Sequence, residues 1–159
     1  MDQQRLEAVA NYDKAMKERD WKAATRHARE ITPLHNLMGI TIVEKGEDRI
    51  LLTMELSDSV RGLEDGTVHG GILASFADVA SAYVLVGCYD ATQMPVTTDM
   101  HIRYYRQPRS GPLRAEATLV HRGKRLLSCE CAVTDSGNRV LSRSTATYML
   151  VPRPGSASE

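Results

Sequence analysis

The sequence predicts an α+β domain in which a strongly curved antiparallel sheet wraps one long helix. Three observations predict it. Residues 68–89 form an apolar segment, VHGGILASFADVASAYVLVGCY, whose only formal charge is Asp78. Two period-2 runs precede that segment, and four more follow it. A sheet with one face on a helix and the other on solvent reads in this alternating way.

The elements follow in chain order. Residues 2 to about 30 carry helical spacing, with Leu6, Val9, Tyr12 and Met16 on one stripe and Trp21, Ala24 and Ala28 on another. Together they predict a helix, or two helices broken near Asp20, ended by Pro33. This stretch reads as a lid or a helix packed on the outside of the domain, without chemistry of its own. From Gly39 the period changes. Ile40 and Ile42, the turn Gly46-Glu47-Asp48, and the alternating Ile50, Leu52, Met54 and Leu56 predict a hairpin.

Residues 57–67 are rich in turn formers and predict a loop. The apolar segment is long enough to span a bilayer, but its Gly, Ala and Ser content and its setting among strands favour a helix buried nearly all round. Val96, Thr98, Met100, Ile102 and Tyr104 then alternate with Thr97, Asp99, His101, Arg103 and Tyr105. Pro108 to Pro112 breaks the chain. Leu113–Leu119, Leu126–Val133 and Val140–Leu150 predict three further strands, joined by turns at Arg122-Gly123-Lys124 and Asp135-Ser136-Gly137-Asn138. The division expected is 1–34 for the helical extension, 35–151 for the domain and 152–159 for a disordered tail. Other α+β folds share this element order.

Composition narrows the function. A chain of 159 residues with 42% hydrophobic content is one domain with a real core. Its 20 basic and 20 acidic residues cancel, which removes the excess positive charge that a phosphate backbone demands. Nucleic acid is therefore not an expected partner, and neither is a membrane. Cys88, Cys129 and Cys131 lack metal-ligand spacing, and the last two, sharing a strand face, read as core residues. The polar N-terminus shows no secretory h-region, so a reducing cytoplasm is the expected location. No metal, nicotinamide or phosphate-loop motif appears, and no cofactor is expected.

Asp78 is the sharpest feature. An unpaired buried carboxylate costs several kcal/mol, so it either takes hydrogen bonds from Ser75, Ser81 or a strand amide and specifies packing, or it works. Gly70 and Gly71 weaken the start of the same helix. They serve as a tight corner, or they bare backbone N–H groups where the dipole favours a developing negative oxygen. His69 reads as a cap or anchor as readily as a catalyst. His69 and Asp78 are nine residues apart, on opposite sides of a helix and ~13 Å apart along it. A site that uses both ends of the helix therefore combines Gly70 of one subunit with Asp78 of another.

The stretch GTVHGGILASFADVASAY resembles the His-Gly-Gly helix of the PaaI-like hotdog acyl-CoA thioesterases, in which Asp or Glu follows the His by nine residues. The resemblance runs from about Gly39 to Leu150 and includes Pro95-Val96-Thr97-Thr98-Asp99-Met100 and the Arg122-Gly123-Lys124 turn. It implies a hotdog fold and hydrolysis of an acyl-CoA or aryl-acyl-CoA to the free acid and CoA, with water the only co-reactant. It implies Asp78 as general base or nucleophile, the Gly70 N–H, with Gly71, polarising the thioester carbonyl, His69 orienting that loop, and Thr97 helping to place the water. It implies CoA phosphates met by some of Arg103, Arg106, Arg122, Lys124 and Arg125, and a homodimer or homotetramer with active sites between subunits. Relatives often carry Asn or Gln six residues before the His; here the residue is Leu63, followed by Glu64 and Asp65. Two alternatives use the same fold: a protein that binds acyl-CoA without cleaving it, and a hydratase or dehydratase. An interaction protein docking through its N-terminal helix is a further one.

Overall fold

Three helices, a hairpin, a long helix and four more strands follow one another in the computed structural model, which describes residues 3–62, 64, 67–90 and 92–153. The helices α1 (Gln3–Glu18), α2 (Trp21–Ile31) and α3 (Pro33–Leu37) precede β1 (Thr41–Lys45) and β2 (Arg49–Met54). Then come α4 (Gly70–Val84), β3 (Gln93–Tyr104), β4 (Leu113–Arg122), β5 (Leu126–Thr134) and β6 (Val140–Pro152). The strands make one antiparallel sheet in the order β1-β2-β4-β5-β6-β3. The element order matches the sequence expectation. The tail was expected from residue 152, but β6 runs through Pro152 and the Arg153 N–H donates to the Thr92 carbonyl at 2.8 Å; residues 154–159 lie outside the described residues.

The break expected near Asp20 is present. Arg19 takes φ 58°, the left-handed conformation that closes a helix. Asp20 then caps α2, its carboxylate accepting from the Ala23 N–H at 2.9 Å. Pro33 does end α2, because Thr32 before it is held extended. It also opens α3, which the sequence reading did not expect: proline lacks an N–H that the first helical turn does not need. Helix α2 seals the β1 edge of the sheet. Thr25 Oγ1 accepts from the Ile42 N–H at 2.9 Å, and Arg29 donates to the Ile40 carbonyl and to Thr41 Oγ1.

The concave face of the sheet is lined where it meets α4 by small residues: Ala115 and Ala117 on β4, Cys129 and Cys131 on β5, Ser144 and Ala146 on β6. They let the helix settle close, and burial pushes both thiols up to about 12. Cys129 and Cys131 are free and buried, core residues as expected.

One expectation needs correction. Leu73, Phe76, Ala77, Ala80, Ser81 and Val84 of α4 are buried, at the i, i+3, i+4, i+7 spacing of a single stripe. Ser75, Asp78, Val79 and Ala82 are only half-buried. One curved sheet covers one side of a helix, so the other apolar side stays open within the chain. Among the described residues no helix is long and apolar enough to cross a membrane.

Candidate active site

Asp78 sits on that half-open side of α4, facing β3 and β6. The Tyr148 hydroxyl lies 2.7 Å from Asp78 Oδ1 and 3.0 Å from the Asp78 carbonyl, and donates to them. Thr97 Oγ1 donates to the same Oδ1 at 3.0 Å. Ser75 and Ser81 are not its partners, contrary to the packing alternative. Among the described residues Oδ2 accepts no hydrogen bond. The carboxylate is thus clamped by one oxygen. Tyr148 itself is 1% exposed. Burial first, and then the neighbouring carboxylate, push its hydroxyl well above the usual phenol range, so it remains a donor.

A bulge makes this clamp. Residues Met100, Ile102 and Tyr104 of β3 pair with Ala146, Ser144 and Ser142 of β6 and share their inward face. Between Asp99 and Thr97 the register shifts, leaving Thr98 unpaired. Beyond the shift Thr97 pairs with Tyr148 and Pro95 with Leu150, so odd-numbered residues now face inward. Thr98 turns its hydroxyl to the Thr147 carbonyl at 3.0 Å. Strict alternation had grouped Thr97 with Asp99 and His101, and Thr98 with Met100. The bulge overturns that grouping and carries Thr97 to the carboxylate.

At the other end of α4, His69 is the N-cap, and its Nδ1 accepts from the Gly71 N–H at 3.0 Å. Its ring proton is therefore on Nε2. The Tyr104 hydroxyl donates to the Gly70 carbonyl at 3.0 Å. The peptide joining Gly70 to Gly71 is held from both sides, and the Gly71 N–H is already used. The Gly70 N–H has no partner among the described residues and stands at the positive end of the helix. Val68 before it is tied by its N–H to the Gln107 side-chain oxygen at 2.9 Å.

Tyr148, Tyr104 and Gln107 were not foreseen. A signal existed for Tyr148: on β6 it falls in step with Ser142, Ser144 and Ala146, and a buried tyrosine hydroxyl needs a partner.

The basic residues are spread out. Arg103 lies on the outer face of β3, directly opposite Arg143, and points away from α4. Arg106 is exposed in the loop that follows, and Lys124 and Arg125 are exposed at the β4–β5 turn. Arg122 donates to the Gly87 carbonyl at 3.3 Å, just past the C-terminal end of α4. None of the five touches the Asp78 cluster within one chain. Leu63 and Asp65 lie outside the described residues. Among the described residues no group of three His, Cys, Asp or Glu is arranged to hold a metal ion.

Residues 65–142 match the family model of the thioesterase superfamily. The thioesterase HI1161 of Haemophilus influenzae superposes with a TM-score of 0.75 at 21% identity, over 83% of this chain and 90% of its own. The Escherichia coli PaaI protein, from the phenylacetic acid degradation operon, does so with a TM-score of 0.69 at 23% identity, over 80% and 91%. In sequence, SSO1253 of Saccharolobus solfataricus is 24% identical over 128 residues, 79% of this chain and 83% of that one. The six-stranded sheet curved round α4 is the hotdog fold, and residues 65–142 of the chain carry the match to the thioesterase superfamily.

Proposed function

We propose that the protein hydrolyses an acyl-CoA or aryl-acyl-CoA to the free acid and CoA, with Asp78 as the reacting carboxylate and two copies of the chain forming each site. The observation that carries the reading is the Asp78 clamp: Oδ1 fixed by Tyr148 and Thr97, Oδ2 open on a half-buried helix face. In the general-base form Oδ2 takes a proton from water as the water oxygen attacks the thioester carbonyl. The tetrahedral oxyanion lies against the Gly70 N–H of the second subunit, and collapse expels the CoA sulfur, which leaves protonated. In the nucleophilic form Oδ2 itself attacks the carbonyl carbon, the C–S bond breaks to release CoA thiolate, and water then hydrolyses the resulting mixed anhydride to the free acid and the Asp78 carboxylate. His69 acts by holding the Gly70–Gly71 peptide.

Two features support the dimer. Gly70 and Asp78 are ~12 Å apart along α4, so one chain cannot bring both to one carbonyl. Strand β3 is an edge with no partner on its outer side among the described residues, and an open edge invites a second copy. The CoA phosphates would meet basic side chains from Arg103, Arg106, Arg122, Lys124 and Arg125, contributed by either subunit. Cytoplasmic residence belongs to the same proposal.

The test is a panel of acyl- and aryl-acyl-CoA esters with a free-thiol readout, run on the wild type and on Asp78→Asn. Turnover on at least one ester, falling by about 10³ in the variant, is expected. Saturable CoA-ester binding without thiol release would make the protein a binder and end the hydrolase reading.

A further inference from the structure

A chamber of about 790 Å³ lies between the N-terminal helices and the far half of α4. Its volume is that of ligand pockets generally. Neither Asp78, Thr97, Tyr148 nor the His69–Gly71 turn lines it, so it is separate from the site described above.

Its walls are apolar, formed by Val9 and Met16 of α1, Trp21 and Ile31 of α2, and Val86 after α4. A few polar groups converge on them. Tyr83 and His35 are bonded to each other at 2.9 Å, and the Tyr12 ring tilts against Tyr83 with centroids 6.1 Å apart. The Tyr12 hydroxyl is sealed from solvent without a hydrogen-bond partner among the described residues. A buried orphan hydroxyl costs about 1–3 kcal/mol. Burial holds Tyr12, Tyr83 and Tyr89 in the neutral phenol form and lowers His35 to about 4, so the ring is uncharged at neutral pH.

Charge selects the head group. Lys17, Arg19, Lys45 and Arg153 line the chamber against Asp13, Glu47 and Asp90, four cations to three acids. Lys45 is half-buried, donates to the adjoining Gly46 carbonyl at 3.1 Å, and makes no ion pair among the described residues. A partly desolvated ammonium beside an oily cavity, with only the longer-range field of Glu47 and Asp48 to balance it, favours a single anion. A polyanion such as the CoA nucleotide would meet the three acids.

We infer that this chamber is a second binding site, for an amphipathic monocarboxylate whose apolar body lies among the helices and whose carboxylate meets Lys45. The same class of molecule is what thioester hydrolysis would release. That link rests on the Asp78 reading, whereas binding in the chamber does not.

Trp21 is the one tryptophan of the chain and lines the chamber, so its fluorescence reports occupancy directly. Decanoate, titrated into the full chain, is expected to shift the Trp21 emission saturably. Lys45→Met, which keeps an apolar stem and removes the charge, should weaken decanoate about tenfold, the ~1.4 kcal/mol of one charge-assisted hydrogen bond. The Lys45→Met change should leave 1-decanol binding unaltered, and Asp78→Asn should bind decanoate as the wild type does. No saturable change, equal decanoate affinity with and without the Lys45 charge, or loss of binding in Asp78→Asn would each overturn the inference. Because the Asp78→Asn arm reads binding without turnover, failure here is distinguishable from failure of the hydrolase reading.

Discussion

Tyr148→Phe is the substitution that bears most directly on the clamp. It deletes one hydroxyl, buried in the core, and leaves the ring in place. That hydroxyl makes the shorter of the two bonds to Asp78 Oδ1, 2.7 Å against 3.0 Å from Thr97. A hydrogen bond to a charged group contributes about 1.5–3 kcal/mol, so if it holds the carboxylate in its reacting pose, kcat should fall roughly 10- to 100-fold. KM should hardly move, since nothing that binds the acyl group is removed. Folding should cost only about 1 kcal/mol, because the Asp78 carbonyl keeps its place in the α4 hydrogen-bond ladder.

Thr97→Val, nearly isosteric on its strand, should lower kcat about fivefold by the same reasoning. The two hydroxyls share one oxygen, so the double variant should depart from additivity by at least about 0.5 kcal/mol. The assay is steady-state thiol release on the best ester of the panel, with urea unfolding of each variant alongside. A Tyr148→Phe enzyme within twofold of wild-type kcat, or strict additivity of the pair, would refute the clamp as a positioning device.

Other outcomes follow from the two glycines and from His35. A Cβ at Gly71 would come within 3.1 Å of His69 Nδ1 and push the cap aside, so Gly71→Ala should lose about 1 kcal/mol of stability in chemical denaturation. A Cβ at Gly70 would meet the Tyr104 ring at 3.7 Å, ordinary contact, so Gly70→Ala should fold normally yet lose thioester turnover through crowding beside the bare N–H. His35 is held neutral by burial, lowered from 6.5 to about 4. Between those values the unfolded chain binds the extra proton. Stability should therefore be complete above about pH 6.5 and decline as pH falls towards 4, by roughly 2–3 kcal/mol from this residue. Urea midpoints across that range should show the slope, and His35→Gln should flatten it; an unchanged slope would place the acid sensitivity elsewhere.

What could be read from the chain was local. Alternation in Leu113–Leu119, where Leu113, Ala115, Ala117 and Leu119 face in and Arg114, Glu116 and Thr118 face out, matches the burial along β4. The capping Asp20 was visible as a break, and the lone charge of α4 was visible as a candidate. Thr97 was reached only through family resemblance, since its own strand period put it on the wrong face. The Gly71 N–H was expected to face substrate, but the cap geometry turns it to His69. The spread of the basic residues was equally hidden, because a turn such as 122–125 says nothing of which face its side chains serve.

On its own, the sequence determined the element order, the apolar rod with its one carboxylate, and the glycines at the start of that rod. These depend on near-neighbour spacing and on the cost of burying charge, which act within a few residues. Tertiary structure alone decided that Tyr148, seventy residues from Asp78, holds the carboxylate by one oxygen, and that a single unpaired residue at Thr98 turns Thr97 inward to join it. It alone decided that the N-terminal helices leave a chamber against α4. Register and contacts between distant segments are settled by packing the whole sheet against one helix, and no local pattern encodes where that packing will slip by one.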